Sequence, residues 1–253
     1  MSNVEHLALL NQAPLRWVEW RAKNLHIEPD LSAANLVEAN LQGINFQQTN
    51  LKGANLSYAN LSYANLQKAE LVNSQLSEAN LTEANLCEAN LIGSSLRGAN
   101  FRGANLIATN LIGTDLSKSD LIGANLGEAK LRRTKLCQAE LIAVNLIGAD
   151  LSHANLYEAE LIGAYLYRIN FHQANLSEAH LSRAYLLSAD LSEADLRRAD
   201  LRWADLRWAN LTQANLTQAN LRGANFKNAN LSGANLTQAN LWGAIMPDGS
   251  VYS

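Results

Sequence analysis

From Leu31 to Leu241 every fifth residue is leucine or phenylalanine, forty-three times without a failure, and only Phe46, Phe101, Phe171 and Phe226 are not leucine. A strict internal repeat constrains a fold more than any other property of a sequence. A period of five is neither the 3.6 of an amphipathic helix nor the 2 of a continuous strand, so a turn must recur in every unit. Two residues before each leucine the position is usually alanine, as at Ala34, Ala39 and Ala54, with Ser, Thr, Val or Ile in the exceptions. The residue between is Asn at twenty-five of the forty-three places and Asp at eight, while the two residues after leucine vary freely. Residues two apart in an extended segment point to the same side. Ala and Leu can therefore face inward together, with Asn or Asp outside between them and the variable pair forming a corner. Repeating a short side and a corner coils the chain, and successive coils pair backbone to backbone about 4.8 Å apart.

The second corner position restricts the number of sides. Ten of its twelve glycines fall in alternate repeats, among them Gly43, Gly53, Gly93 and Gly103, while six of its eight glutamates, including Glu38, Glu78 and Glu88, fall in the other set. An alternation that stays in phase along the axis requires an even number of sides, which disfavours a three-sided coil. Glycine suits the positive φ of a type II turn. The expectation is therefore type II corners on two opposite sides and other turns on the remaining two.

Segments such as Ala54-Asn55-Leu56-Ser57-Tyr58 and Ala194-Asp195-Leu196-Arg197-Arg198 resemble the A-(D/N)-L-x-x unit of pentapeptide repeat proteins over about four-fifths of the chain. The resemblance implies an all-β solenoid, a right-handed quadrilateral β-helix with four repeats per coil. Forty-three repeats then make about eleven coils, a rod of roughly 50 Å. The helical-looking start, ending in Pro29-Asp30-Leu31, is similar to the short α-helical N-terminal caps of cyanobacterial members. Val4 to Asn11 and Pro14 to Ala22 are expected as two short helices, with Pro14 in a first turn and Leu7, Leu10, Trp17 and Trp20 laid over the first coil. The tail, with Ile245, Met246, Val251 and Tyr252 around Pro247-Asp248-Gly249, either caps the last coil, the favoured reading, or makes a dimer contact. The expected division is a cap over 1–29, the repeat over 30–244 and a C-terminal cap or tail over 245–253.

Charge and composition remove several functions. A net charge of −3 and a pI near 6.0 provide no broad basic field for nucleic acid, which is disfavoured as a partner. Polar residues return in every group of five, so no membrane span is expected, and the first ten residues lack the pattern of a secretory signal, which makes the cytoplasm the default address. Cys87 and Cys137 fit reduced thiols and are ten repeats apart, on opposite sides of a four-sided coil and beyond disulfide reach.

A filled interior leaves no cleft for a nucleophile and its base, so the chain is expected to be no enzyme and to carry no cofactor or metal. His153 and His172, about a coil apart with Glu193 beyond, are loosely spaced for a metal and fit exposed surface residues better; His180 fits a surface substitution for Asn. Function is left to the outside. Ile122, Ile142 and Ile162 form one vertical file, and Ile107, Ile147, Tyr167 and Leu187 form another on the adjacent side, interrupted by Gly127. Together they are a candidate interface, although β-branched ladders can also simply stabilise stacked strands. Asp190, Asp195, Asp200 and Asp205 ring one coil, with Arg202, Trp203, Arg207 and Trp208 at its corners. That ring is either a docking patch or a self-neutralised belt, the latter favoured by its charge balance. The leading expectation is a structural or protein-interaction module that binds an unknown protein partner or itself. The alternative implied by the resemblance is a DNA mimic that binds a type II topoisomerase (gyrase), against which stand the near-balanced charge and the excess of Asn over Asp.

Overall fold

The computed structural model describes residues 4–12, 14–24 and 26–253. Two helices, α1 (Val4–Gln12) and α2 (Pro14–Lys23), precede a parallel solenoid. Its bridges join residues twenty apart, from Asp30↔Asn50 to Asn225↔Ile245, one for every five residues of chain. Each turn of the solenoid thus has four sides of five residues. Side one carries Leu31 and Leu51, side two Leu36 and Leu56, side three Leu41 and Leu61, and side four Phe46 and Leu66. Each side has only one bridged residue between corners, too little for a regular strand.

The unit from Leu56 to Asn60 shows why five residues close on themselves. The N–H groups of Leu56 and Tyr58 donate along the axis to Gln75 and Ser77 carbonyls at 2.7 and 3.0 Å, and that of Asn60 donates in the opposite direction to Ala39 at 2.9 Å. Ala59 closes the corner onto the Leu56 carbonyl at 3.1 Å. Only the N–H of Ser57 lies outside this backbone network, and Oδ1 of Asn55 accepts it at 3.1 Å. The recurring Asn or Asp is thus the acceptor for the one donor per unit that the ladder cannot use.

The corners correct the expectation of mixed turn types. All forty-three residues at the second corner position, from Ala33 to Gly243, have φ between 52° and 72°, and thirty-one of them are not glycine. The signs are those of a type II turn on every side. The cause is the ladder: the N–H of each such residue must point along the axis, and that demand overrides residue preference. Glycine relieves a strain common to all corners rather than selecting the turn.

The interior is dry. From Leu51 to Phe226 every central Leu or Phe is at most 1% exposed, with the preceding small residue packed beside it. Where that residue is Ser or Thr, its hydroxyl bonds inside the wall at every place except Thr49, as Ser74 does to the Leu71 carbonyl at 2.6 Å and Thr114 to Leu111 at 2.7 Å.

At the start of the solenoid Trp17 is fully buried, edge-on to Phe46 at 5.4 Å, and its indole N–H donates to the Asn45 carbonyl at 3.0 Å. Leu10 is buried and Leu7 half-buried against the same core, while Trp20 lies between the rings of His6 and Trp17. At the other end the tail folds into a hairpin, with Ile245 bridged antiparallel to Val251. The hairpin covers side four alone. Leu231, Leu236 and Leu241 on the other three sides stay half-buried, and Trp242, Val251 and Tyr252 are exposed.

Candidate interaction surface

The outward Asn positions stack in vertical files, and many neighbours bond to each other. Asn105 donates its amide to Asn85 at 3.1 Å, and Asn175 to Asn155 at 2.9 Å. An Asn in this file accepts its own corner N–H and donates along the axis; Asp can only accept. At six of its eight places Asp sits where an Asn follows, and the pair is bonded, as at Asp150 beneath Asn170 and Asp190 beneath Asn210, both at 3.0 Å.

Ten units have neither Asn nor Asp at this position, and seven of those lie between residues 130 and 185: Lys130, Lys135, Glu140, Glu160, Tyr165, His180 and Tyr185. At Glu140, Glu160, Tyr165 and Tyr185 the next corner residues are Ile142, Ile162, Tyr167 and Leu187, and their N–H groups have no acceptor among the described residues. Four of the sequence-predicted surface residues thus sit where the chain abandons its own hydrogen-bonding rule.

The two predicted files are adjacent across the corner of sides three and four. Ile122, Ile142 and Ile162 stack on side three, with Ile162 37% exposed. Ile107, Ile147, Tyr167 and Leu187 follow one another on side four, interrupted by Gly127, with Ile147 40% exposed and the rest half-buried. The structure adds Tyr165 and Tyr185, whose rings stack at 5.3 Å and 6° on the same side, both about half exposed. Arg168 lies over the Tyr167 ring at 4.9 Å.

Three of the four aspartates in the ring are neutralised, and Asp190 accepts instead from Ser192 N–H and the Asn210 amide. Arg197, Arg202 and Arg207 bind Asp195, Asp200 and Asp205 at 2.6 to 2.7 Å, each within its own unit. The hydrogen bond from Arg207 holds the Asp205 carboxyl below the ordinary range against the opposing effect of partial burial. For Asp195 and Asp200 burial is the largest influence and acts upward, yet the bonds from Arg197 and Arg202 bring both carboxyls down. Arg202 and Arg207 are therefore committed inside the chain, while Trp203 and Trp208 stand exposed at the corners.

The remaining polar groups make local contacts. His172 Nδ1 meets Ser192 Oγ at 2.9 Å and its ring packs edge-on to His153, while His180 Nδ1 meets Glu160 at 2.7 Å. Among the described residues no group of three or more His, Cys, Asp and Glu is placed to hold a metal. Cys87 and Cys137 are free, and burial pushes both thiols up, helped by Glu88 and Asp115 respectively, which suppresses thiolate chemistry. A polar trough of about 410 Å³ lies between Tyr157 and Gln218. Its Tyr157 hydroxyl is pushed up to about 12, first by its hydrogen bond with Glu158, then by partial desolvation and the charges of Glu158 and Glu178. A phenol so shifted is a poor acid or nucleophile at neutral pH.

The sequence profile described as pentapeptide repeats matches residues 34–71, 69–106, 99–138, 138–173, 164–202 and 204–243. The chain belongs to the pentapeptide repeat family. Among solved structures of that family it is similar to HetL, a pentapeptide repeat protein involved in heterocyst differentiation regulation from the cyanobacterium Nostoc sp. strain PCC 7120. That match has 36% identity and a TM-score of 0.50 and covers 93% of this chain and 97% of HetL. Rfr23, a pentapeptide repeat protein of the cyanobacterium Cyanothece 51142, is 36% identical over 38% of this chain and 58% of its own, with a TM-score of 0.23. Full-length QnrB1, a plasmid-mediated fluoroquinolone resistance protein, is 19% identical over 67% of this chain and 90% of its own, with a TM-score of 0.43. No curated protein matches. No described helix is long and apolar enough to cross a membrane.

Most units of this chain share Leu, Ala and Asn, so the distinguishing information lies in the departures. Sequence reasoning found the apolar corners but missed Glu140, Glu160, Tyr165 and Tyr185. The signal was present: each replaces Asn in a file where Asn is the rule.

Proposed function

We propose that this pentapeptide repeat protein is a non-catalytic interaction rod. In this reading residues 30–244 form a right-handed quadrilateral β-helix of about eleven coils, residues 1–29 a helical N-terminal cap and residues 245–253 a C-terminal cap or tail. The rod acts in the cytoplasm and presents sides three and four, at Ile107, Ile122, Ile142, Ile147, Ile162, Tyr167 and Leu187, to a protein partner or a second copy. Trp203 and Trp208 extend this surface toward the C-terminal end.

One observation carries the reading. The N–H groups of Ile142, Ile162, Tyr167 and Leu187 have no acceptor among the described residues, because Glu140, Glu160, Tyr165 and Tyr185 replace the Asn or Asp that accepts this N–H in thirty-three of the forty-three units. Each such bond contributes roughly 0.5–1.5 kcal/mol. A solenoid optimised for stability alone would carry Asn at all four places. Ten units lack this acceptor, and four of them, those of Ile142, Ile162, Tyr167 and Leu187, fall together on sides three and four beside exposed isoleucine and tyrosine, a combination that suits binding. The likeness to HetL, a protein involved in regulation by its description, fits a partner-binding role over nearly the whole chain.

The test is capture from a lysate of the source organism with the wild-type chain and with Ile142→Asp/Tyr167→Asp, alongside light scattering of both. Loss of a specific partner or of self-association in the variant, with an unchanged circular dichroism spectrum, supports the surface. Identical partners and mass remove it. Imitation of DNA toward gyrase finds little support in the charges, since three of the four carboxylates in the densest ring are neutralised by their own arginines. Potent inhibition in a supercoiling assay would reverse that ranking.

A further inference from the structure

On side three the first corner position reads Arg102, Ile122, Ile142, Ile162, Ser182 and Arg202 in successive coils. Arg102 binds Asp120 and Arg202 binds Asp200, each at 2.7 Å, so ion pairs bound an apolar stripe three coils long. Beside the stripe, Asp120, Glu140 and Glu160 occupy consecutive bridged positions. Like charges directly opposite across a ladder oppose folding. The fold does not need them, because in the same file Asn80 bonds to Asn60 at 3.3 Å. Glu140 makes no ion pair with any described residue, and Glu160 meets only His180. The other flank of the stripe is low. Gly123, Ala143 and Gly163 form the corner, and the space beyond the two glycines is open.

We propose that this face binds a basic amphipathic helix of a partner protein, lying along the rod axis; the proposal rests on the interaction reading above and names its occupant. A helical turn rises 5.4 Å and a coil about 4.8 Å, so one residue per turn can meet each of Ile122, Ile142 and Ile162 with a total drift of about 1.2 Å. A strand laid the same way repeats its face every ~6.8 Å and falls out of step by the second coil. Lys or Arg along one flank of the helix reaches Glu140 and Glu160, and the opposite flank closes over the glycine corner. The same carboxylates repel a phosphate backbone or an anionic membrane. The bounding ion pairs limit the contact to two or three helical turns.

The probe is a labelled peptide of about fifteen residues with leucines at i, i+4 and i+7 and lysines along one flank. Fluorescence anisotropy measures its binding to the full chain and to Glu140→Gln/Glu160→Gln, a change the fold tolerates because Gln75 already occupies this file position on side two. The expected result is saturable binding that weakens on the order of tenfold in the double variant and again as salt is raised. A peptide with glutamate in place of lysine should not bind. Absence of binding, equal affinity for both proteins, or equal affinity of a proline-interrupted peptide of the same composition each overturns the helix proposal. Concentration-dependent dimerisation abolished by Ile142→Asp also overturns it, in favour of a second copy. If the probe fails while the lysate partner still depends on Ile142 and Tyr167, the interaction reading stands and only the helix falls.

Discussion

The side-chain amide of Asn145 donates to Oδ1 of Asn125, one coil away, at 3.0 Å, and the same oxygen accepts the N–H of Gly127 at 3.2 Å. One side-chain atom thus joins two coils and completes a corner. The two ends of this bond are not equivalent. Asn125→Asp keeps the acceptor for both donors, an arrangement Asp150 already has beneath Asn170. Asn145→Asp replaces the donor with a carboxylate oxygen facing another acceptor. The expected loss is about 1–2 kcal/mol for Asn145→Asp and less for Asn125→Asp by denaturant melts at pH 7. The loss at Asn145 should shrink as pH falls, because the protonated carboxyl regains a donor. Equal losses at the two positions would contradict the ladder.

Left-handed corners carry strain wherever the residue has a Cβ. Ala108 holds φ at 55°, a conformation that disfavours L-residues by roughly 1–2 kcal/mol. Glycine removes that strain but gains entropy in the unfolded chain, so Ala108→Gly should stabilise by about 0.5–1 kcal/mol. A lower denaturant midpoint for the variant would show that the corner geometry is not strained.

How much of this was legible in the sequence depends on the length scale. Leu51 and Ala54 announced their burial through the period of five, and alternation at Gly43 and Glu38 pointed to an even number of sides. The turn type at Glu38 did not follow, because its φ of 57° is imposed by a hydrogen bond to Ser57 in the next coil, a long-range constraint that outweighs local preference. The belt of Asp205 and Arg207 was readable because both belong to one unit. The carboxylate file of Glu140 and Glu160 was not, since twenty intervening residues hide a vertical contact until the coil length is known.

The belt makes acid stability depend on three arginines. Asp195, Asp200 and Asp205 have carboxyls held below their unfolded value. A depressed carboxyl contributes stability above its unfolded pKa, near pH 4, and that contribution disappears as pH falls through the folded value. Replacing Arg197, Arg202 and Arg207 together by Gln removes the guanidinium hydrogen bonds and charges that depress these carboxyls, and leaves only the backbone N–H bonds to oppose the burial that raises them. The variant should therefore lose less stability than the wild type between pH 4 and pH 2, measured as urea midpoints across that range. Parallel pH profiles would mean that the ion pairs do not hold in solution.

The N-terminal end depends on a buried cation that makes no ion pair with a described residue. Arg21 is 2% exposed, and its guanidinium donates to the Ile27 carbonyl at 2.8 Å and to the Gln47 carbonyl at 2.7 Å, tying the end of α2 to the first coil, while burial lowers its pKa. Arg21→Met keeps much of the apolar stem but leaves both carbonyls without that donor, an expected loss of about 2–3 kcal/mol. Trp17→Ala, which removes the ring packed on Phe46, should lose about 3–5 kcal/mol. In a solenoid whose coils contact only their neighbours, either loss stays local. Amide exchange should accelerate at Leu36, Leu41 and Phe46 and remain unchanged at Leu146 and Leu166. Acceleration along the whole rod would instead mean that the coils unfold as one cooperative unit nucleated at the helices.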